Sequence, residues 1–129
     1  VDLSAAMIAQ ISDSRIEGRV GDAAKFEIKD KFDKIVSAGL LEFVENAKAV
    51  LTNARRHINS NGQLVLLLPR NNLAGWGYRR FHRKNGLDIS LFDLAHICEL
   101  AADSGWTKVD HAFVFPFSLV VSFKAIEMI

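Results

Sequence analysis

At 129 residues, half of them hydrophobic and about a quarter charged, the chain suits one domain with a core of moderate size. Sixteen basic residues against fifteen acidic ones leave a net charge of +1, which argues against a strongly electrostatic partner such as duplex DNA. The single Cys98 excludes an internal disulfide, no signal-peptide pattern is present, and the longest apolar run, Leu64 to Pro69, is too short to span a bilayer, so a reducing, cytoplasmic setting is expected.

In chain order, Val1 to Leu3 reads as the tail of a strand, and Ser4 as the N-cap of a helix carrying Met7, Ile8 and Ile11. Ser12, Asp13 and Ser14 end that helix, and the charged and β-branched mixture from Arg15 to Val20 predicts a strand closing in Gly21-Asp22. Phe32, Ile35 and Val36 form a short apolar strand ending in Ser37-Ala38-Gly39. Small residues at a strand's carboxyl end leave room for a ligand, and in open α/β sheets ligands sit outside those ends. Ala47, Val50, Leu51, Ala54 and Ile58 recur at helical spacing from about Asn46 to His57, with Arg55, Arg56 and His57 as cations in the last turn. Asn61-Gly62 reads as a turn, and Gln63 to Leu68 as a buried strand stopped by Pro69.

Arg70 to Leu87 is a long polar, aromatic and basic connection, which predicts function or a short helix near Gly77 to Arg83. Ser90 with Asp93 resembles a capping box for a helix from Leu91 to Ser104, with Leu94, Ile97, Cys98 and Ala101 inward and Gly105 as the stop signal. Two extended runs, Thr107 to Phe115 and Phe117 to Lys124, are too close together to pair other than as an antiparallel hairpin. The expected architecture is an α/β layered sheet with that hairpin as its antiparallel C-terminal edge.

The order of these elements resembles the class I S-adenosylmethionine-dependent methyltransferases of the small-molecule or lipid type. The residues that carry the resemblance are Val1-Asp2-Leu3-Ser4 with Met7, Gly21-Asp22-Ala23, Phe32-Asp33-Lys34-Ile35-Val36-Ser37 followed by Leu41-Glu42-Phe43-Val44, Gly62-Gln63-Leu64-Val65-Leu66, Phe81-His82 with Gly86, and Ala101 to Trp106. The family's first strand and glycine-rich loop have no counterpart among these residues; Gly75-Trp76-Gly77 follows no strand in the required geometry. The resemblance therefore implies an α/β, Rossmann-like three-layer sandwich, mostly parallel with the C-terminal antiparallel hairpin and incomplete at its N-terminus, in which residues 1–129 form a partial domain with residues 70–90 as a substrate-side insertion or lid, completed by an upstream segment or another chain.

The resemblance implies S-adenosylmethionine as cofactor and assigns roles to particular residues. Asp2, beside Leu3, would accept hydrogen bonds from the ribose hydroxyls, which suits a carboxylate because it takes two donors at once. Asp22 and the amide of Ala23 would hold the adenine, and Ser37, Ala38 and Leu40 would line the methionine end. A turn after a strand accounts for Gly21-Asp22 equally well. Glu42 serves either a helix dipole or a substrate, and Phe43 stands where the family often has His. His82 is the candidate base, since it alone of the four histidines lies in the long connection; His57 is expected as a helix-terminal cation, His96 on a helix surface and His111 on a strand. Trp76, Tyr78 and Arg79 would meet a small-molecule acceptor. The four scattered histidines and one cysteine show no metal-ligand spacing. Rival readings are a non-catalytic binding or partner subunit and a nucleotide-binding oxidoreductase.

Overall fold

The computed structural model describes residues 1–127. Its elements are α1 (Ala5–Ala9), β1 (Phe32–Ala38), a single 3-10 turn (Leu41–Phe43), α2 (Ala47–Arg56), β2 (Ile58–Pro69), α3 (Leu73–Lys84), α4 (Leu94–Asp103), β3 (Trp106–Val114) and β4 (Ser118–Ala125). The strands form one sheet in the order β1-β2-β4-β3. The mixed α/β, Rossmann-like class and the C-terminal hairpin are as expected.

The sheet is not mostly parallel among the described residues. Only β1 and β2, joined through the crossover helix α2, run parallel, whereas β4 is antiparallel to both β2 and β3. The physical reason lies in the connections: a three-residue turn between β3 and β4 permits no crossover. The strand expected over Arg15 to Val20 does not form. That stretch and Val1 to Leu3 share one isolated parallel bridge, Asp2 to Val20, and Ile16 and Val20 stay exposed. Without an apolar layer to cover them, their β-branched side chains have nothing to pack against.

The core lies on one face of the sheet. Leu64, Leu66 and Leu68 of β2 alternate inward with Leu119, Val121 and Phe123 of β4, all at most 2 % exposed. They meet Val50, Leu51 and Ala54 of α2 and Ile97 and Ala101 of α4. Trp106 is wholly buried there, and its indole N–H donates to the Leu51 carbonyl at 3.0 Å, so its burial leaves no polar group unpaired. On the opposite face Val36 and Leu67 remain exposed. Both edges of the sheet are strands, and β1 forms the edge nearest the N-terminal segment.

Local signals set most boundaries. Ser4 caps α1, accepting the Met7 amide at 3.2 Å, and Asn46 caps α2 through the Ala49 amide at 3.1 Å. Asn61-Gly62 is not a turn between elements but lies within the long β2, where Asn61 has φ +65° and the register against β1 shifts. The helix expected from Leu91 begins at Leu94 instead. Phe92 exchanges backbone bonds with Pro69 and Asn71, and the Ser90 amide donates to Glu42, so these residues are held extended before the helix can start. No helix among the described residues is long and apolar enough to cross a membrane.

Candidate functional site

At the carboxyl end of β1 the strand gives way to Gly39, whose φ of +65° is left-handed and whose Cβ position is open space. This reversal sends Leu40 into the 3-10 turn and opens a cavity of about 310 Å³. It is lined by Val1, Asp2 and Leu3 from the N-terminal segment and by Val36 to Leu40 and Phe43 from the strand end. Five residues singled out in the sequence, Asp2, Leu3, Ser37, Ala38 and Leu40, therefore share one cavity although they come from distant segments. Its volume falls at the lower end of the range for small-molecule sites.

Asp2 is fixed from both sides. Its amide donates to the Arg19 carbonyl at 3.0 Å, its carbonyl accepts from the Gly21 amide at 2.9 Å, and its Oδ1 accepts from the Ser4 amide at 2.9 Å. Asp22 and Ala23 lie outside the cavity lining, on the backbone that Gly21 ties to Asp2. Asp22 organises its own turn: Oδ1 accepts from the Ala24 amide at 2.9 Å and its carbonyl from Lys25 and Phe26. The Ala23 carbonyl accepts from the side chain of Asn53 at 3.0 Å. Asn53, 3 % exposed on α2, also holds the Phe26 carbonyl, and was not singled out in the sequence. An amide facing inward on an otherwise apolar helical stripe is the signal that would have found it.

The second group of residues sits on α3, which is longer than expected because Asn72 caps it through the Gly75 amide at 2.8 Å. Gly75 is buried, and a Cβ there would overlap the Arg70 carbonyl; this fixes how closely α3 approaches the end of β2. Tyr78 and His82 then point inward together, their rings edge to face at 4.5 Å. Tyr78 stacks on Phe117 at 4.7 Å, while His82 meets the edge of Phe43 at 5.3 Å. Since Phe43 also lines the cavity, one ring separates His82 from it. Trp76 and Arg79 are more peripheral: with Arg80, Arg83 and Lys84 they line a surface groove of about 510 Å³, and the Trp76 indole N–H donates to Asn71 at 2.7 Å.

Beneath these rings lies Glu42, only 5 % exposed. Its Oε2 accepts a long 3.4 Å bond from the Tyr78 hydroxyl, and its Oε1 has no partner. Burial pushes the Glu42 carboxyl above the usual glutamate range, against smaller lowering effects from its own backbone, Tyr78 and His82. Burial and the neighbouring Glu42 charge push the Tyr78 phenol up as well. A carboxylate inside the apolar run Leu40 to Val44 was the sequence signal for this burial.

His57 stands at the end of α2, as expected, where it is the C-cap, but it faces inward and not solvent. Its Nδ1–H donates to the Asn53 carbonyl at 2.8 Å and its Nε2 accepts from the Ile28 amide at 3.2 Å, so both ring nitrogens are paired with backbone. It anchors the segment before β1, its ring tilted at 34° against Phe26 with centroids 4.6 Å apart.

The family described as a methyltransferase domain matches residues 1–66. No curated protein matches the chain. Among solved structures, the chain is similar to magnesium protoporphyrin IX methyltransferase from Synechocystis PCC 6803 with bound SAH, at TM-score 0.62 and 16 % identity over 83 % of this chain and 50 % of that one. A chain of the complex between the Haloferax volcanii Trm112 methyltransferase activator and its methyltransferase candidate is similar at TM-score 0.77 and 13 % identity, over 92 % and 66 %. A SAM-dependent methyltransferase from Thermotoga maritima is similar at TM-score 0.69 and 19 % identity, over 82 % and 62 %. At these identities the likeness is one of fold. The chain spans half the length of the Synechocystis enzyme.

Proposed function

The chain belongs to the methyltransferase-domain family, and from that premise we propose that it is the distal part of an S-adenosylmethionine-dependent methyltransferase acting on a small molecule. The observation that carries the reading is the cavity at the end of β1, which gathers Asp2, Leu3, Ser37, Ala38 and Leu40. The residues fit the cofactor there: small side chains and an uncrowded Gly39 leave space, and Asp2 has a second carboxylate oxygen beyond the one that caps Ser4.

When bound, S-adenosylmethionine supplies a methyl group on a sulfonium. In this reading Asp2 accepts from the ribose hydroxyls, Asp22 and the Ala23 amide hold the adenine, and Ser37, Ala38 and Leu40 bound the methionine end. Methyl transfer needs the acceptor aligned and, where the acceptor is protonated, a base. His82 takes the proton at a ring nitrogen, while Tyr78, Trp76 and Arg79 of the 70–90 segment shape the approach. A further strand, from the same protein or from a partner chain, pairs with the outer edge of β1; the exposed Val36 and the free edge support this part of the reading.

Calorimetric titration with S-adenosylhomocysteine tests the proposal. Binding by the chain, or by a version extended upstream, is expected to weaken at least tenfold in Asp2→Ala, about the value of a lost charge-assisted hydrogen bond. No binding by either folded form refutes it. His82→Ala is expected to keep that binding and lose turnover. The reading of a non-catalytic binding subunit draws on Phe43, which stands where the resemblance leads one to expect His, and predicts cofactor binding without turnover in any form.

A further inference from the structure

The inner side of α3 is committed to Gly75, Tyr78 and His82, so its outer side can be read separately. On a helix of 3.6 residues per turn, Leu73, Trp76, Arg80, Arg83 and Lys84 fall on the side opposite those three. Leu73 is 79 % exposed and Trp76 49 %. Asn72, the cap, donates its side-chain N–H to the Pro116 carbonyl at 3.1 Å, which holds the β3–β4 turn against the start of the helix. That turn carries Phe115 at 95 % exposure, the most exposed large apolar side chain of the described residues. With the turn held there, Leu73 and Trp76 at the start of α3 and Phe115 beside it make an apolar tip, and Arg80, Arg83 and Lys84 a cationic stretch behind it, flanked by Arg79 in the same groove. α3 contains no acid, and of its cations only Arg83 meets a carboxylate among the described residues, Asp88, at 3.7 Å and in open solvent.

We propose that this surface docks on an anionic lipid bilayer. An apolar tip gains by entering the interface, an indole favours that depth, and cations behind it meet lipid phosphates. The whole chain carries only +1, so the attraction is local and orients the molecule with α3 toward the lipid. Single-stranded nucleic acid would use Trp76 and the arginines, but gains nothing from Leu73. Docking needs neither cofactor nor acceptor, and it is tested at Leu73, Arg80, Arg83 and Phe115, which have no part in the proposed methyl transfer; Trp76, which flanks both surfaces, is left unchanged as the reporter.

Vesicle sedimentation tests it, using phosphatidylcholine alone and phosphatidylcholine with one quarter phosphatidylglycerol. Binding to the mixed vesicles, weakened by salt and by the absence of phosphatidylglycerol, is expected, with a blue shift of Trp76 emission; Trp106 is already buried. Arg80→Gln with Arg83→Gln should weaken binding by roughly 25-fold, at about fivefold per cation. Leu73→Ser with Phe115→Ser should abolish the blue shift; both pairs lie on the surface, and circular dichroism checks that they leave the fold intact. Absence of wild-type binding to the mixed vesicles overturns the proposal. So does tighter binding of a single-stranded oligonucleotide that depends on the arginines and not on Leu73 and Phe115.

Discussion

Replacing Glu42 by Gln removes a charge from the interior while keeping the side chain's shape. In the native protein Oε1 is buried without a partner and Oε2 has only the long bond from Tyr78. An unsatisfied buried polar atom costs about 1–3 kcal/mol, and more when charged. Gln retains an oxygen to accept from Tyr78 and leaves one neutral N–H₂ in place of the orphaned oxygen. We expect Glu42→Gln to stabilise the fold by about 1–2 kcal/mol at neutral pH, or roughly 4 °C in Tm per kcal/mol for a chain of this size. The pH dependence fixes the cause. Because burial raises the Glu42 carboxyl, the native state holds its proton more tightly than the unfolded state. Wild-type stability therefore falls as pH rises from the ordinary glutamate range through the raised value, and Glu42→Gln lacks this fall. Urea denaturation of both proteins across that interval gives two curves that meet in acid and separate toward neutrality. Parallel curves, with the Gln variant less stable throughout, would show that the ionised carboxylate is well solvated and refute the reasoning.

His57→Ala removes one buried and one part-buried hydrogen bond and a ring packed against Phe26, and urea titration should show a loss of about 2–3 kcal/mol; a loss below about 0.5 kcal/mol would contradict the anchoring role. Gly75→Ala should destabilise by about 3 kcal/mol or more because its methyl meets the Arg70 carbonyl, which is backbone and cannot yield. Gly77→Ala, on the same helix but in open space, should instead gain up to about 1 kcal/mol from helix propensity. Thermal melts of the two glycine variants that move together would undo the account of how α3 seats.

What could be read in advance was whatever rests on local pattern. α2 shows its apolar stripe and its cap, the hairpin follows from two alternating runs with a short turn, and the small residues after β1 mark a strand end with room beside it. Long-range pairing was less legible. Arg15 to Val20 has strand composition but finds no sheet to join among the described residues, because composition cannot supply a partner. Ser90 looks like a helix cap, yet its amide is taken by Glu42 and its neighbours by the end of β2. The site was legible to the same degree. Asp2 and Ser37 to Leu40 meet in one cavity, whereas the inward turn of His57 and Glu42 depended on the Ile28 amide and the Tyr78 hydroxyl, both remote in sequence. Asn53 shows the same limit, since only the fold brings two carbonyls of the Ala23 to Phe26 turn within its reach.

The central claim is that the cavity at the end of β1 takes the cofactor, and residue-resolved amide shifts on titrating S-adenosylhomocysteine into isotopically labelled protein test it most directly. The account predicts the largest shifts at Leu3, Ser4, Ala23, Ala24 and Ser37 to Leu40, with Asp2→Ala suppressing them. Saturable shifts confined to the groove of α3, or to the opposite end of β1 around Phe32 and His57, would place the ligand elsewhere and contradict it.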